Sequence, residues 1–555
     1  MATCLSIQLG LVFAERFQPT RILILFNFKY ISMQISKQFD FIIGGAGAAG
    51  CVIARRILDE TNATVLLLEA GDGDPSSDVV TDPNKWFMTF GTDIDYRYSY
   101  APQPFLNNRV IQAPRGKILG GSSSINGLIW ARGNRSDYEG WAAQGNDGWD
   151  YESVVPLFKR IEDWEGGESD YHGSGGPVHI EKVKAPNYLA TALIDAAVSF
   201  GLPLMDDMSG PDPFGAGVLV RNVKEGKRSS AYTGYLQPVK HHPNLTLLTG
   251  ATVVRLILEG TTCKGVQYIR EGKTYEAYAD SEVILCAGTF DSPRILMLSG
   301  IGEADELVGV GISPALLLKG VGKNLQDHAN CAIMPVLKPE FVTAGLDLQI
   351  SMVFAKSRHA GAASNLMFFD PPFPLITPEV AGRYGVPGNT FSIISALMLP
   401  ETRGYVKMLS SSPLGPLEIQ PNMLMQGSDL MTMIEGIRMA LAFTDQPAMK
   451  DMIRQVVGLS SQSTDEKIVE YIKLGMATYF HPTGTCKMGS DENSVVDEKL
   501  RVHGIERLRV ADASIMPQIT SGNTHAPTLM IGEKLAADLL SEPYLTKSKA
   551  FATSF

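Results

Sequence analysis

The stretch FDFIIGGAGAAGCVIARRILDETNATVLLLEAG, Phe39 to Gly71, constrains the fold more than any other part of the chain. FDFII reads as a short apolar strand, CVIARRIL has helical periodicity, and TVLLLEA reads as a second buried strand. Between the first strand and the helix lies GGAGAAG, with Gly45, Gly47 and Gly50 in G-x-G-x-x-G spacing. Gly45 permits the tight turn, Gly47 lets a pyrophosphate approach the backbone, and Gly50 lets the helix pack against the strand. Ala48 and Ala49 open the helix, whose free N–H groups and positive dipole end suit a phosphate. Glu69 follows Gly50 by 19 positions, where a ribose hydroxyl needs an acceptor, with Ala70 beside it. The unit predicts a dinucleotide site in a parallel α/β sheet. NAD and FAD share an ADP half, so the fingerprint does not separate them, although its place near the start of a long chain leans towards FAD.

With 555 residues the chain exceeds what one core usually serves, so two domains are expected. A net charge of −11 gives no electrostatic footprint for nucleic acid. No run of about 18 apolar residues occurs, so no integral membrane span is expected. None of the six cysteines forms a C-x-x-C pair, and they are expected as buried free thiols. Residues 1–35 read as a leader, with Met33 as an alternative start. A cytoplasmic location is the expectation, secretion holding only if residues 1–14 act as a signal. Asn62, Asn134 and Asn244 begin N-x-S/T triplets, which arise often by chance.

PRGKILGGSSSINGLIWARGNRSDYEGW, from Pro114, and GTFDSPRILMLSGIG, from Gly288, resemble the two signatures of the glucose–methanol–choline (GMC) flavoprotein oxidoreductases. GVGKNLQDH, from Gly320, YFHPTGTCKMG, from Tyr479, and LRVADASIMPQITSGNTHAPTLMIGEKLAADLL, from Leu508, resemble further family stretches in the same order. The similarity covers Phe39 to Leu540 and is nearest to the choline-dehydrogenase-like alcohol dehydrogenases and oxidases. It implies an α/β FAD-binding Rossmann-like domain of the p-hydroxybenzoate-hydroxylase-like type, with an α+β substrate domain built on an antiparallel sheet. The expected FAD domain is discontinuous, 36–150, 215–330 and 476–545, with the substrate domain at 151–214 and 331–475 and a tail at 546–555. LEIQPN and FSIISALML read as strands of the second domain, and the Met-rich stretch Asn422 to Phe443 reads as a core helix.

The resemblance implies oxidation of an alcohol to an aldehyde or ketone, the flavin being reoxidised by oxygen or a quinone-like acceptor. Relatives that are hydroxynitrile lyases or light-driven decarboxylases supply the alternative. Oligomeric state stays open. Taken alone, His525 could be a loop residue, a metal ligand or a proton carrier; no nearby Cys, Asp or Glu cluster supports a metal. The family pattern places one catalytic histidine at His481 and the second position at His525, 44 residues on. It thus implies a His481–His525 pair facing the flavin, His481 as base and His525 orienting the substrate oxygen, or the reverse. An imidazole suits removal of a hydroxyl proton near neutral pH. Asn at the second position is common among choline-acting relatives, which puts choline in doubt.

By the same resemblance the cofactor meets Arg115, Gly120, Gly121, Ser122, Asn126 and Gly127 of the first signature, and Ala287 and Gly288 at the second. Val253 is placed at the adenine, Asp512 and Ala513 at the ribityl chain and pyrophosphate, and Asn523 and Thr524 beside the flavin. Asp512 serves equally as a cap of the next turn. Ile125 stands where some relatives carry a flavin-linked histidine, so FAD is expected to bind non-covalently. Trp130, Tyr479 and Phe480 are candidates for the pocket wall or the core.

Overall fold

The computed structural model describes residues 37–348 and 350–541. The leader at 1–35, Met33, Cys4 and the tail at 546–555 lie outside the described residues. The first sheet begins with β1 (Lys37–Gly44), followed by helix α1 (Ala48–Glu60) and β2 (Val65–Leu68). β1 and β2 pair in parallel, Ile42 opposite Leu66, and all four residues of β2 are buried. Burial on both faces is what a near-continuous Val/Ile/Leu run encodes. The sheet has seven strands. Leu245–Leu248 adds to β2, Lys273–Leu285 lies along the other side of β1, and Leu508–Val510 pairs in parallel with that long strand. A β-meander, Ala251–Glu259, Thr262–Arg270 and Lys273–Leu285, closes one side.

The second sheet also has seven strands, and every pair in it is antiparallel. Its centre is Ala329–Leu337, Ile393–Leu397, Leu366–Phe369 and Ser351–Ala355. Helices Gly427–Thr444 and Tyr188–Phe200 pack against it. Gly215–Val218 and Met476–Thr478, which the segment division puts in the first domain, pair in this second sheet. The chain crosses between the sheets at these points. FSIISALML supplies a central strand, whereas LEIQPN makes a separate two-stranded hairpin with Tyr405–Met408. The Met-rich stretch is helical from Gly427 on, with Met433 fully buried in the second sheet's core. The five described cysteines are free and buried. Asn134 is buried and caps helix Arg135–Ala143. Among the described residues, no helix is long and apolar enough to cross a membrane.

Candidate functional site

A cavity of about 1270 Å³ runs from the glycine turn after β1 to the second sheet. Small-ligand pockets span roughly 300–1,000 Å³, so there is room for a large ligand and a small one together. At the turn, Gly45 has φ +113°, a conformation that glycine adopts without strain, and a Cβ there would collide with the Cys286 carbonyl oxygen. Gly121 approaches so closely that its Cβ would lie 2.8 Å from Gly47 Cα. Gly120 N–H donates to the Ala46 carbonyl at 2.8 Å, locking the two loops into one cradle.

The N-terminus of α1 faces this cradle with no capping side chain and no acidic residue in its first turn. By contrast, the helices beginning at Arg135, Tyr151, Tyr188, Pro378 and Asp465 are each capped by a side chain. An uncapped N-terminus at a glycine cradle fits a phosphate group. Glu69 accepts from Ala46 N–H at 3.0 Å and Gly71 N–H at 2.9 Å, so it braces the turn as well as lining the cavity. Burial pushes its carboxyl up to about 7 against those two bonds.

Every candidate catalytic and cofactor-binding residue except Gly50 and Gly120 lines the cavity. Gly50 lies behind, where a Cβ would strike the Gly45 carbonyl, and Gly120 holds the cradle. Asp512 caps the next turn and also lines the cavity. Its Oδ1 accepts from Ser514 N–H at 2.8 Å, capping the turn Ala513–Ile515, and its Oδ2 accepts from Gly288 N–H at 2.9 Å and Ser292 Oγ at 2.5 Å. Arg115 Nη2 donates to the Phe480 carbonyl at 2.5 Å. Phe480 itself has φ +66°, a strained value for a bulky residue, and its neighbour is His481. The residues present therefore fit an ADP-containing dinucleotide.

The catalytic end is built around His481. Its backbone N–H donates to Asp327 Oδ1 at 2.8 Å, and Asp327 Oδ2 accepts from Tyr100 at 2.5 Å and from Thr478. The ring is bonded at both nitrogens: Nδ1 lies 2.9 Å from His328 Nδ1, and Asn523 Nδ2 donates to Nε2 at 3.2 Å. Burial, with His328 and Arg115 nearby, holds the His481 imidazole well below its ordinary pKa, so it is neutral.

His481 and His525 both line the cavity but do not bond to each other. Asn523 meets His481, and both His525 ring nitrogens are buried without a hydrogen-bond partner. The reason is local. His525 is the first residue of the last helix, His525–Ser541, while Asn523 belongs to the loop before it. His525 packs edge-on against Trp130, ring centroids 5.6 Å apart, and burial pushes its imidazole down to about 3. It still lines the cavity. Trp130 is a fully buried core residue whose Nε1 donates to Glu162 at 2.7 Å, whereas Tyr479 and Phe480 line the cavity. Tyr479 stacks on Phe369 with centroids 5.2 Å apart.

Sequence reasoning quoted LQDH but gave Asp327 and His328 no role. It also passed over Arg228, a buried guanidinium that donates to Asn126 Oδ1 at 2.6 Å and has no carboxylate among its bonds. Their signal was their position in a motif and, for Arg228, nothing beyond residue type. Among the described residues no cluster could hold a metal ion.

Known proteins share the fold and the motifs of this chain. Two family models described as GMC oxidoreductase match residues 39–330 and 400–532. The chain is 37% identical over 544 residues to an oxygen-dependent choline dehydrogenase of Escherichia coli, covering 92% of this chain and 97% of that one. Among solved structures, pyridoxine 4-oxidase from Mesorbium loti matches with TM-score 0.85 and 29% identity, over 91% of this chain and 99% of the other. A formate oxidase matches with TM-score 0.82 and 26% identity, over 92% and 99%.

Proposed function

The chain belongs to the GMC oxidoreductase family and is an FAD-dependent oxidoreductase acting on CH–OH donors; from that premise we propose that it oxidises a neutral primary alcohol with His481 as the base. One observation carries the reading. His481 is a neutral imidazole on the cavity wall, clamped through its backbone by Asp327 and at both ring nitrogens by His328 and Asn523. A neutral, fixed imidazole can take the hydroxyl proton as the C–H bond opens. FAD, when bound, supplies the hydride acceptor. Glycine turn, α1 N-terminus and Glu69 would hold its ADP half, and Asn126, Asp512, Ala513 and Thr524 its flavin half. Ile125 offers no atom for a covalent link, so the cofactor binds non-covalently.

Asn523 and His525 orient the ligand beside His481. Asn523 Oδ1 and both His525 nitrogens are buried without partners, as donors and acceptors awaiting a ligand would be. The acidic residues lining the cavity are Glu69, Asp95, Asp291, Glu379 and Asp512, and none of them bonds to His481, Asn523 or His525. The aromatic wall of Tyr479 and Phe369 suits an aromatic alcohol and would also attract a quaternary ammonium, so the preference for a neutral alcohol rests on the lack of an acidic partner beside His481. The names of the relatives, oxygen-dependent or oxidase, favour oxygen over a quinone-like acceptor for reoxidation. Anaerobic mixing of the holoenzyme with benzyl alcohol, 1-butanol, pyridoxine and choline, followed by flavin absorbance in the dark, tests this. Bleaching by the neutral alcohols is expected; bleaching by choline alone would overturn the substrate class, and bleaching by none would overturn alcohol oxidation.

A further inference from the structure

His328 ends the LQDH stretch, is fully buried and does not line the cavity, yet it touches the proposed base directly. The two Nδ1 atoms lie 2.9 Å apart and the rings stand nearly perpendicular, at 86°. The contact is fixed from both sides. Tyr479 N–H donates to the His328 carbonyl at 2.8 Å, and His481 N–H donates to Asp327, the residue before His328. Burial keeps both imidazoles neutral, His328 down to about 3.

Two neutral imidazoles in Nδ1–Nδ1 contact share one proton, because each ring carries a single N–H. If His328 donates, His481 must carry its proton on Nε2, the nitrogen beside Asn523, and cannot accept another there. If His481 donates, its Nε2 carries a lone pair, which Asn523 holds until the alcohol hydroxyl takes its place. The neighbouring Asn523 chooses the second arrangement. The Asn523 amide presents a donor to His481 Nε2, which suits a lone pair and not an N–H. Backbone carbonyls of Met398 and Thr520 near the His328 ring oppose the burial that lowers its pKa. His328 Nε2 is buried without a hydrogen-bond partner.

We propose that His328 is a positioning residue that sets the tautomer of His481, accepting its Nδ1 proton so that Nε2 faces the substrate as a base. The proposal rests on His481 being that base. When the alcohol gives its proton to His481 Nε2, the O–H bonding pair stays on oxygen. The Nδ1 proton then moves onto His328 Nδ1, which leaves His481 neutral and His328 doubly protonated. The positive charge so comes to lie one residue back from the cavity, against backbone carbonyls. No electrons are transferred in this step. The charged and titratable groups that face the pair are Arg115, Asp327, Tyr100 and Tyr479.

The test has one reading without substrate and one with it. In holoenzyme labelled with ring-¹⁵N histidine, the His481 signals, identified by their loss in His481→Ala, should show a protonated Nδ1 and an unprotonated Nε2. A protonated Nε2 would overturn the proposal. In anaerobic flavin reduction by benzyl alcohol, 1-butanol, pyridoxine and choline, His328→Leu should slow the most reactive of them by roughly 100-fold with FAD still bound. Fixing the tautomer of a catalytic imidazole can be worth up to about 10⁴. His328→Asn, whose side-chain oxygen can accept from His481 Nδ1, should recover most of that loss. Equal rates in wild type and His328→Leu, or no difference between Leu and Asn, would overturn it. Should the Leu variant not fold, the Asn variant and the wild-type tautomer still decide. Failure of the base itself is read separately: reduction unchanged in His481→Ala removes the premise, whereas loss there with no loss in His328→Leu removes only this inference.

Discussion

Two histidines line one cavity under opposite conditions. His481 sits at the end of a strained turn and is bonded at backbone and both ring nitrogens. His525 opens a helix, leans on Trp130 and is bonded at neither nitrogen. The difference teaches which task each can perform. A base needs a fixed tautomer and a fixed position, and the contacts of His481 supply both. A ligand-contacting group needs unspent donors and acceptors, and His525 keeps both of its own. Burial makes each neutral, so pKa alone would not have told them apart.

The sharpest way to break this comparison is to remove the base. His481→Ala should lower anaerobic flavin reduction by about 10³-fold or more with FAD retained, since a positioned base contributes roughly 10²–10⁴. A loss under tenfold would deny His481 its role. Asn523→Leu comes next, at roughly 10²-fold in the same stopped-flow measurement, because it removes the bond to His481 Nε2 and leaves that nitrogen misaligned. His525→Phe keeps the ring and its packing on Trp130, so a loss of about tenfold, expressed chiefly as a higher KM, is expected. A loss as large as that of His481→Ala would erase the distinction between the two histidines.

The smallest effect is on stability. His328, His481 and His525 are held below their ordinary pKa, so the unfolded chain binds protons there that the native protein refuses. Each therefore withdraws about 1.4 kcal/mol of stability per pH unit as pH falls below about 6.5. For His525 this continues to about 3. His172 has the opposite sign. It lies between Glu162 at 2.8 Å and Asp207 at 2.9 Å, which raise its pKa against burial, so its contribution is full below about 6.5 and is lost as pH rises through its raised value. Thermal melts between pH 7 and 5 should fall less steeply for His525→Phe than for wild type; an unchanged slope would show that His525 is protonated in the folded protein.

Much of this was legible from local pattern. The βαβ unit was readable because strand, turn, helix and strand lie within Phe39 to Gly71, where each glycine answers a steric demand of its neighbours. The cavity lining was readable through motif order, and residues as distant as Val253 and Asp512 do meet the same cavity. The crossings at Gly215–Val218 and Met476–Thr478 were not, since a short strand carries no mark of which sheet it joins. Neither was the role of His328, because its contact spans 153 positions and nothing near it in the chain names its partner.

Spacing placed two histidines near one another in the family pattern, and residue chemistry alone established that an imidazole was at hand for the proton. Which side chain meets His481 depended on where the last helix begins: Asn523 precedes its first turn and His525 starts it, and those two residues of chain turn a bonded partner into an unbonded one. Helix geometry rotates successive side chains by about 100°, so a choice between neighbours two positions apart is made by packing and not by the order of the letters.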